Sequence, residues 1–335
     1  VIELRSDTFT VADEKMRRAM AQAQVGDDVY NEDPTVNNLQ KIAGEFFGKE
    51  SAIFVPSGTM GNLLAVLTAC QRGDEIIAEY NSHIFQYEVA GVSALAGVQI
   101  NPIKGIDGKI PIDYLNGAIR DENIHFPTTR MICLENTHNM SGGKVLEVEY
   151  INAVAGIAKK NNIHLHIDGA RIFNAAVAQG IDPKKLLENV DSVMVCLSKG
   201  LGAPMGSLLV GTEEFINSAR KYRKMLGGGM RQWGHAAAAA LIALEDGPKR
   251  LHEDHENCKA LAEALKEKKW TEDVQQSTNI CRFFVPDNNQ ADNFQEYMLK
   301  NGVRVQKAGN SFRMVTHFNV SQEDTKKVVE LINNF

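Results

Sequence analysis

The chain has 335 residues, 44% of them hydrophobic and 23% charged, with 36 basic against 42 acidic side chains and a formal net charge of −6. This composition excludes a disordered chain and describes a mildly acidic globular protein, long enough for two domains and a sizeable core. Nucleic-acid binders advertise a basic stripe; the nearest candidate, Arg220-Lys221-Tyr222-Arg223-Lys224, falls in a helical pattern and reads as a solvated helix face.

Val1 to Asp7 lacks the charged-then-apolar pattern of a signal segment, and the five cysteines (70, 133, 196, 258 and 281) are scattered with no C-x-x-C. Both features predict a reducing, cytoplasmic setting. The stretch 235–244 is too short to span a membrane and too rich in alanine, so it reads as a buried helix. His164 and His166 alternate along a strand pattern without further Cys or His partners, so no metal site is expected.

From residue 36 to 210, short β-branched runs alternate with longer amphipathic segments, the signature of a mostly parallel, buried sheet. Strands are predicted at 52–56, 75–78, 131–135, 163–168 and 192–197, helices at 59–72, 150–160 and 183–189, and a strand turning back at 208–211. A helix from 234 to 245 ends at Asp246-Gly247-Pro248, and a charged amphipathic helix resumes over 249–268. That break sets the expected boundary between a large domain, 1–246 with the N-terminal segment, and a small α+β domain, 247–335. The small domain is predicted to hold strands at 279–285, 303–306 and 311–316, with helices at 291–301 and from 322.

Ligands of open α/β sheets bind at the carboxyl ends of strands, and four such ends carry unusual residues. Pro56-Ser57-Gly58-Thr59 follows a strand and opens a helix, where free N–H groups can hold a phosphate. Asp168, followed by Gly169-Ala170-Arg171, is a helix cap or a buried anion. Lys199 follows an apolar strand and either reaches solvent or serves as a confined amine of the Schiff-base type. His83 follows the strand at 75–78. Together, a phosphate cup at Gly58 and Thr59, Asp168 with Arg171 three residues on, Lys199 and a flat imidazole describe a pyridoxal 5'-phosphate site. Lys199 would form the Schiff base, Asp168 would keep the pyridine nitrogen protonated, and His83 would stack on the ring.

Over nearly its whole length the chain resembles the low-specificity L-threonine aldolases, fold type I pyridoxal-phosphate enzymes of the aspartate-aminotransferase group. The resemblance is carried by Leu4-Arg5-Ser6-Asp7-Thr8, Gly26-Asp27-Asp28-Val29-Tyr30, Glu32-Asp33-Pro34-Thr35, Glu135-Asn136-Thr137-His138-Asn139, His166-Ile167-Asp168-Gly169-Ala170-Arg171 and Leu197-Ser198-Lys199-Gly200-Leu201-Gly202-Ala203-Pro204. It implies an α/β large domain with a mostly parallel seven-stranded sheet, and cleavage of L-threonine or L-allo-threonine to glycine and acetaldehyde. It also implies a homodimer or homotetramer with shared active sites, acting on a small amino acid and on neither nucleic acid nor membrane. Ser6, Arg171 and Arg313 match the positions that hold the substrate carboxylate, a role that suits a guanidinium's paired donors. Arg231 matches a residue that reaches a neighbouring subunit's cofactor phosphate, and His125 lies in a loop whose counterpart shapes β-carbon preference. His83, His125 or a water held by one of them is the base for the β-hydroxyl. Two departures stand out: Asn31 where glycine is common, and Ala90-Gly91 at what is often a glycine pair. The rival reading is a pyridoxal-phosphate β-eliminating lyase that releases ammonia and a keto acid. A nucleotide-binding oxidoreductase lacks its glycine fingerprint here, and a non-catalytic binder would have no chemical reason to keep Lys199.

Overall fold

The computed structural model describes every residue from Val1 to Phe335. After β1 (Ile2–Glu3) and helices α1 (Glu14–Gln22) and α2 (Pro34–Phe47), the chain alternates strand and helix. The order is β2 (Ser51–Val55), α3 (Gly58–Ala69), β3 (Glu75–Glu79), α4 (His83–Gln86), β4 (Gln99–Ile103), α5 (Ile112–Ala118), β5 (Thr129–Glu135), α6 (Val148–Lys160), β6 (His164–Asp168), α7 (Ile172–Gln179), α8 (Pro183–Leu187), β7 (Ser192–Cys196) and β8 (Ser207–Gly211). Strands β2 to β8 form one seven-stranded sheet in the order β2-β8-β7-β6-β5-β3-β4. Only β8 runs antiparallel to its neighbours, so the returning strand expected at 208–211 is present.

The apolar runs make sense because this sheet is covered on both faces. Successive side chains of a strand point to opposite sides, and here Ile132 and Leu134 enter one core while Met131 and Cys133 enter the other. Helices α9 (Glu213–Met225) and α10 (Gly234–Asp246) complete the covering layers. No helix is long and apolar enough to cross a membrane; the alanine-rich α10 is buried on the large core. Because β2, β3, β5, β6 and β7 point the same way, their carboxyl ends and the segments after them share one edge of the sheet.

The C-terminal part comprises α11 (Leu251–Lys266), β9 (Glu272–Gln276), β10 (Ile280–Phe284), α12 (Asn288–Lys300), β11 (Val303–Arg304), β12 (Gln306–Ala308), β13 (Ser311–Val315) and α13 (Gln322–Asn334). Its antiparallel sheet runs β12-β13-β10-β9 over a separate core. One expectation is corrected here. The N-terminal segment was placed with the large domain, yet β1 pairs with β11, and Ile2 and Leu4 are buried in the C-terminal core. The segment then returns to the large sheet, where the Thr10 hydroxyl donates to the Lys199 carbonyl at 3.1 Å.

A second correction concerns residues 220–224. Arg223 is buried on α9, donates to Asp28 at 2.6 Å and to the Phe54 carbonyl at 2.8 Å, and so is a core ion pair rather than part of a solvated face. The two departures noted in the sequence share a backbone cause. Asn31 has φ 59° and Ala90 has φ 54°, both in the left-handed region that glycine enters freely; asparagine tolerates it, alanine is strained there.

Candidate active site

Five strand ends build the site. After β2, Ser57 caps α3 by accepting from the Met60 N–H at 3.2 Å, which leaves the amides of Gly58 and Thr59 unpaired at the helix start. The glycines are required by packing: a Cβ on Gly58 would lie 2.8 Å from Cys196 Sγ, and one on Gly61 would lie 2.6 Å from Met194 Cγ, so only glycine lets α3 begin this close to β7. At the end of β6, Asp168 is 2% exposed; its Oδ1 accepts from the Ala170 N–H at 3.1 Å and its Oδ2 from Asn62 Nδ2 at 2.9 Å. Lys199, three residues beyond β7, makes no ion pair. These residues line a cavity of about 200 Å³ together with His83, Glu88 and Ser198.

His83 opens α4, and its N–H is held by the Glu135 carboxylate at 2.6 Å from the end of β5. Its Nδ1 lies 2.9 Å from Glu88, a buried carboxylate that also accepts from Asn62 at 2.8 Å. One polar atom each of His83, Glu88 and Asp168 falls within 4.8 Å of the others. Burial by itself would lower the His83 pKa, but the hydrogen bond to Glu88 and the charges of Asp168 and Glu88 outweigh it and the net shift is upward. Burial, aided by the Asp168 charge, also pushes Glu88 up against its hydrogen bonds from His83 and Asn62. The pair therefore keeps a shared proton to higher pH than either group alone.

A second cavity, about 260 Å³, adjoins the first through His83 and is lined by Tyr87, Asn139, Met140, Arg282 and Arg313. Arg313 projects from β13, donating to Asn139 Oδ1 at 2.9 Å and to the Arg5 carbonyl at 3.1 Å. Burial and the positive charge of nearby Arg171 lower its pKa to about 10. Arg171 is buried and gives Nε and Nη2 to Asp7 at 2.7 Å each, with Asn279 also donating to Asp7. Its Nη1 remains without a protein partner. Ser6 lies between Arg5, whose carbonyl meets Arg313, and Asp7, which grips Arg171. The two arginines repel each other, and a ligand carboxylate placed between them would relieve that repulsion.

Four expected residues, Ser6, Arg171, His125 and Arg231, line neither cavity, and the last two are exposed. His125 is exposed in the loop that precedes β5, whereas the site lies past its far end, about 20 Å along the strand. Within a single chain it therefore stands apart from the cavity that His83 lines. Arg231 is exposed and paired with Asp27 at 2.9 Å, lining neither cavity. Conversely, Asn62, Asp7 and Glu88 belong to the site and were not singled out from the sequence. Asp7 and Glu88 sit beside the chosen Ser6 and in the His83 segment, so their nearness in the chain was the available signal; Asn62 lies inside an apolar helix and offered only its polarity.

The fold and the cavity together define a pyridoxal-phosphate-dependent enzyme of fold type I. The chain accommodates the cofactor on its own terms, with unpaired helix-start amides for an anion, an amine free of ion pairs and a buried carboxylate in one cavity. Residues 3–287 match the family described as beta-eliminating lyase, and the chain belongs to that family. It is 46% identical over 329 residues to a low-specificity L-threonine aldolase of Escherichia coli O157:H7, spanning 98% of this chain and 97% of the relative. Low-specificity L-threonine aldolase 1 of Arabidopsis thaliana is 44% identical over 332 residues, or 96% and 93% of the two chains. Among solved structures, the threonine aldolase of Leishmania major superposes with a TM-score of 0.86 at 18% identity, covering 100% of this chain and 99% of the other. A serine palmitoyltransferase of Sphingomonas wittichii reaches 0.79 at 17% identity, over 99% and 86%, so the architecture also serves other reactions.

Proposed function

We propose that this protein is a pyridoxal-phosphate-dependent aldehyde-lyase that cleaves L-threonine and L-allo-threonine between Cα and Cβ, giving glycine and acetaldehyde. The observation that carries this reading is the junction of the two cavities at His83, with Lys199 lining one and Arg313 the other. Bound pyridoxal phosphate supplies an electron sink for the bond that breaks. The chain's own residues then have distinct tasks. Gly58 and Thr59 would offer amides to the cofactor phosphate, Lys199 would hold the cofactor as a Schiff base, and Asp168 would pair with its ring nitrogen. Arg171, preset by Asp7, and Arg313, with Ser6 between them, hold the substrate carboxylate. Fixing that carboxylate orients the Cα–Cβ bond for cleavage.

His83, which lines the same cavity and is hydrogen-bonded to Glu88, would stack on the cofactor ring and take the β-hydroxyl proton directly or through a water. A role for His125 in β-carbon preference, and for Arg231 on the cofactor phosphate, requires a second copy, so the reading includes a homodimer or homotetramer in the cytoplasm.

The test is to saturate the purified protein with pyridoxal phosphate, supply each substrate separately, and quantify glycine, acetaldehyde and ammonia together. Equal glycine and acetaldehyde without ammonia is the expected result, and the ratio between substrates gives the β-carbon preference. Ammonia with a keto acid would move the protein to the eliminating lyases and overturn the proposal.

A further inference from the structure

Asn62 occupies a position no part of the reaction described so far requires. It is 0% exposed within α3, and a buried amide there needs partners for both its N–H groups and its oxygen. The two carboxylates beside it settle its orientation: Nδ2 donates one N–H to Glu88 and the other to Asp168. Its Oδ1 must then accept, and the group 3.1 Å away is His166 Nε2. With that proton on Nε2, His166 Nδ1 accepts from the Ser192 hydroxyl at 2.8 Å, and Ser192 in turn accepts from His164 Nε2 at 2.7 Å. One assignment satisfies every link, and every donor in it points toward the two carboxylates. It requires His166 to be neutral, in keeping with burial lowering its pKa to about 3.

We propose that Asn62, held in place by His166, is a positioning residue that fixes Asp168 and Glu88 as one unit and thereby ties the charge facing the cofactor ring to the proton carried by His83. The inference rests on the cofactor reading of the site. The charged and titratable groups facing this unit are Lys199 from beyond β7, Glu135 and Cys133 from β5, His138 from the segment after β5, and His166 from β6. Two N–H groups aimed at two carboxylates favour their ionised forms. Without them the cluster of His83, Glu88 and Asp168 binds protons more tightly, and Asp168 loses the contact that directs its Oδ2.

The experiment compares Asn62→Ala, His166→Leu and the double variant with the parent protein, all as holoenzyme. Three quantities are read: cofactor affinity by equilibrium dialysis, the pH midpoint of the bound cofactor's visible absorption band without substrate, and the acid limb of the kcat/KM profile. Loss of one hydrogen bond to a charged group corresponds to about tenfold in affinity or about one pH unit. Asn62→Ala is expected to weaken cofactor binding by that factor, to displace the visible midpoint and to move the acid limb upward. His166→Leu is expected to move them the same way and to add little in the Asn62→Ala background. Ser192→Ala, a milder change one link further out, gives the same direction should Asn62→Ala fail to fold. Variants that melt earlier but keep the parent's midpoint and cofactor affinity would overturn the inference, leaving Asn62 as core packing alone. Because the midpoint needs no substrate, it decides the matter even if the threonine reading fails.

Discussion

His83 and Glu88 are joined by a 2.9 Å hydrogen bond, and on the proposed reading the proton they share sets the pH dependence of the site. The Glu88 charge and hydrogen bond hold the His83 pKa above the ordinary imidazole value. The base form is thus reached only at higher pH, and activity should rise through an acid limb displaced upward from the ordinary imidazole value. Glu88→Gln keeps an acceptor but removes the charge, so that limb should move to lower pH, by about one unit, in a kcat/KM profile. Asp7 makes the complementary statement about stability. Its burial is outweighed by the Arg171 charge and two hydrogen bonds, so its folded pKa lies well below its unfolded one. A carboxyl depressed in this way contributes stability that is fully present above the unfolded pKa and is lost as pH falls toward the folded one. Asp7→Asn leaves Arg171 buried and unpaired, and should cost about 3 to 5 kcal/mol in denaturant unfolding at neutral pH. The variant should also lose part of the parent's destabilisation by acid. Of these residues His83 and Arg171 were legible in the sequence, whereas Asp7 and Glu88 matter through the groups they touch in the fold.

The close seat of α3 on β7 turns two glycines into functional residues. Gly61→Ala places a methyl group 2.6 Å from Met194 Cγ, and shifting the helix to relieve the contact should cost about 1 to 3 kcal/mol. Because the amides of Gly58 and Thr59 would move with the helix, cofactor affinity measured by dialysis should fall in parallel with the melting temperature. The segment after α4 carries the opposite kind of defect. Val89 and Ala90 both have φ 54°, and Ala90→Gly should raise stability by about 1 kcal/mol, read as a higher denaturation midpoint at unchanged slope. Elements with strong periodicity or flanking turns were legible: β2, β3 and β5 to β8 lie where the apolar runs place them. β4 was not, because it is an edge strand, half exposed, with Pro102 in its middle and no continuous apolar signal. α2 carries a local signal of its own, Asp33 as the cap and Pro34 in the first turn, but lies outside the strand-helix alternation that begins at residue 36.

Arg231 and His125 lie where this chain's cavities do not reach, so the whole assembly is the test of them. If Arg231 serves a neighbour's cofactor, Arg231→Ala and Lys199→Ala variants, each inactive, should regain activity when unfolded and refolded together, since mixed assemblies contain sites with both residues intact. No recovery on mixing would return Arg231 to a surface ion pair with Asp27.

Motifs along the chain were enough to determine the family and the cofactor, and to point to residues that the fold gathers in one cavity: Lys199 after its strand, Asp168 at the end of another, and Gly58 and Thr59 at a helix start. Those follow from a rule that reads directly off a sequence, since parallel strands bring their carboxyl ends to one edge. The tertiary structure alone decided which groups act together. It joined Asp7 to Arg171 across the molecule, drew the N-terminal strand into the C-terminal core, linked Asn62 to two carboxylates, and separated His125 from the cavity. Such relations depend on distances between residues remote in the chain, and hydrogen bonds and buried charges act only over the few ångströms that folding creates.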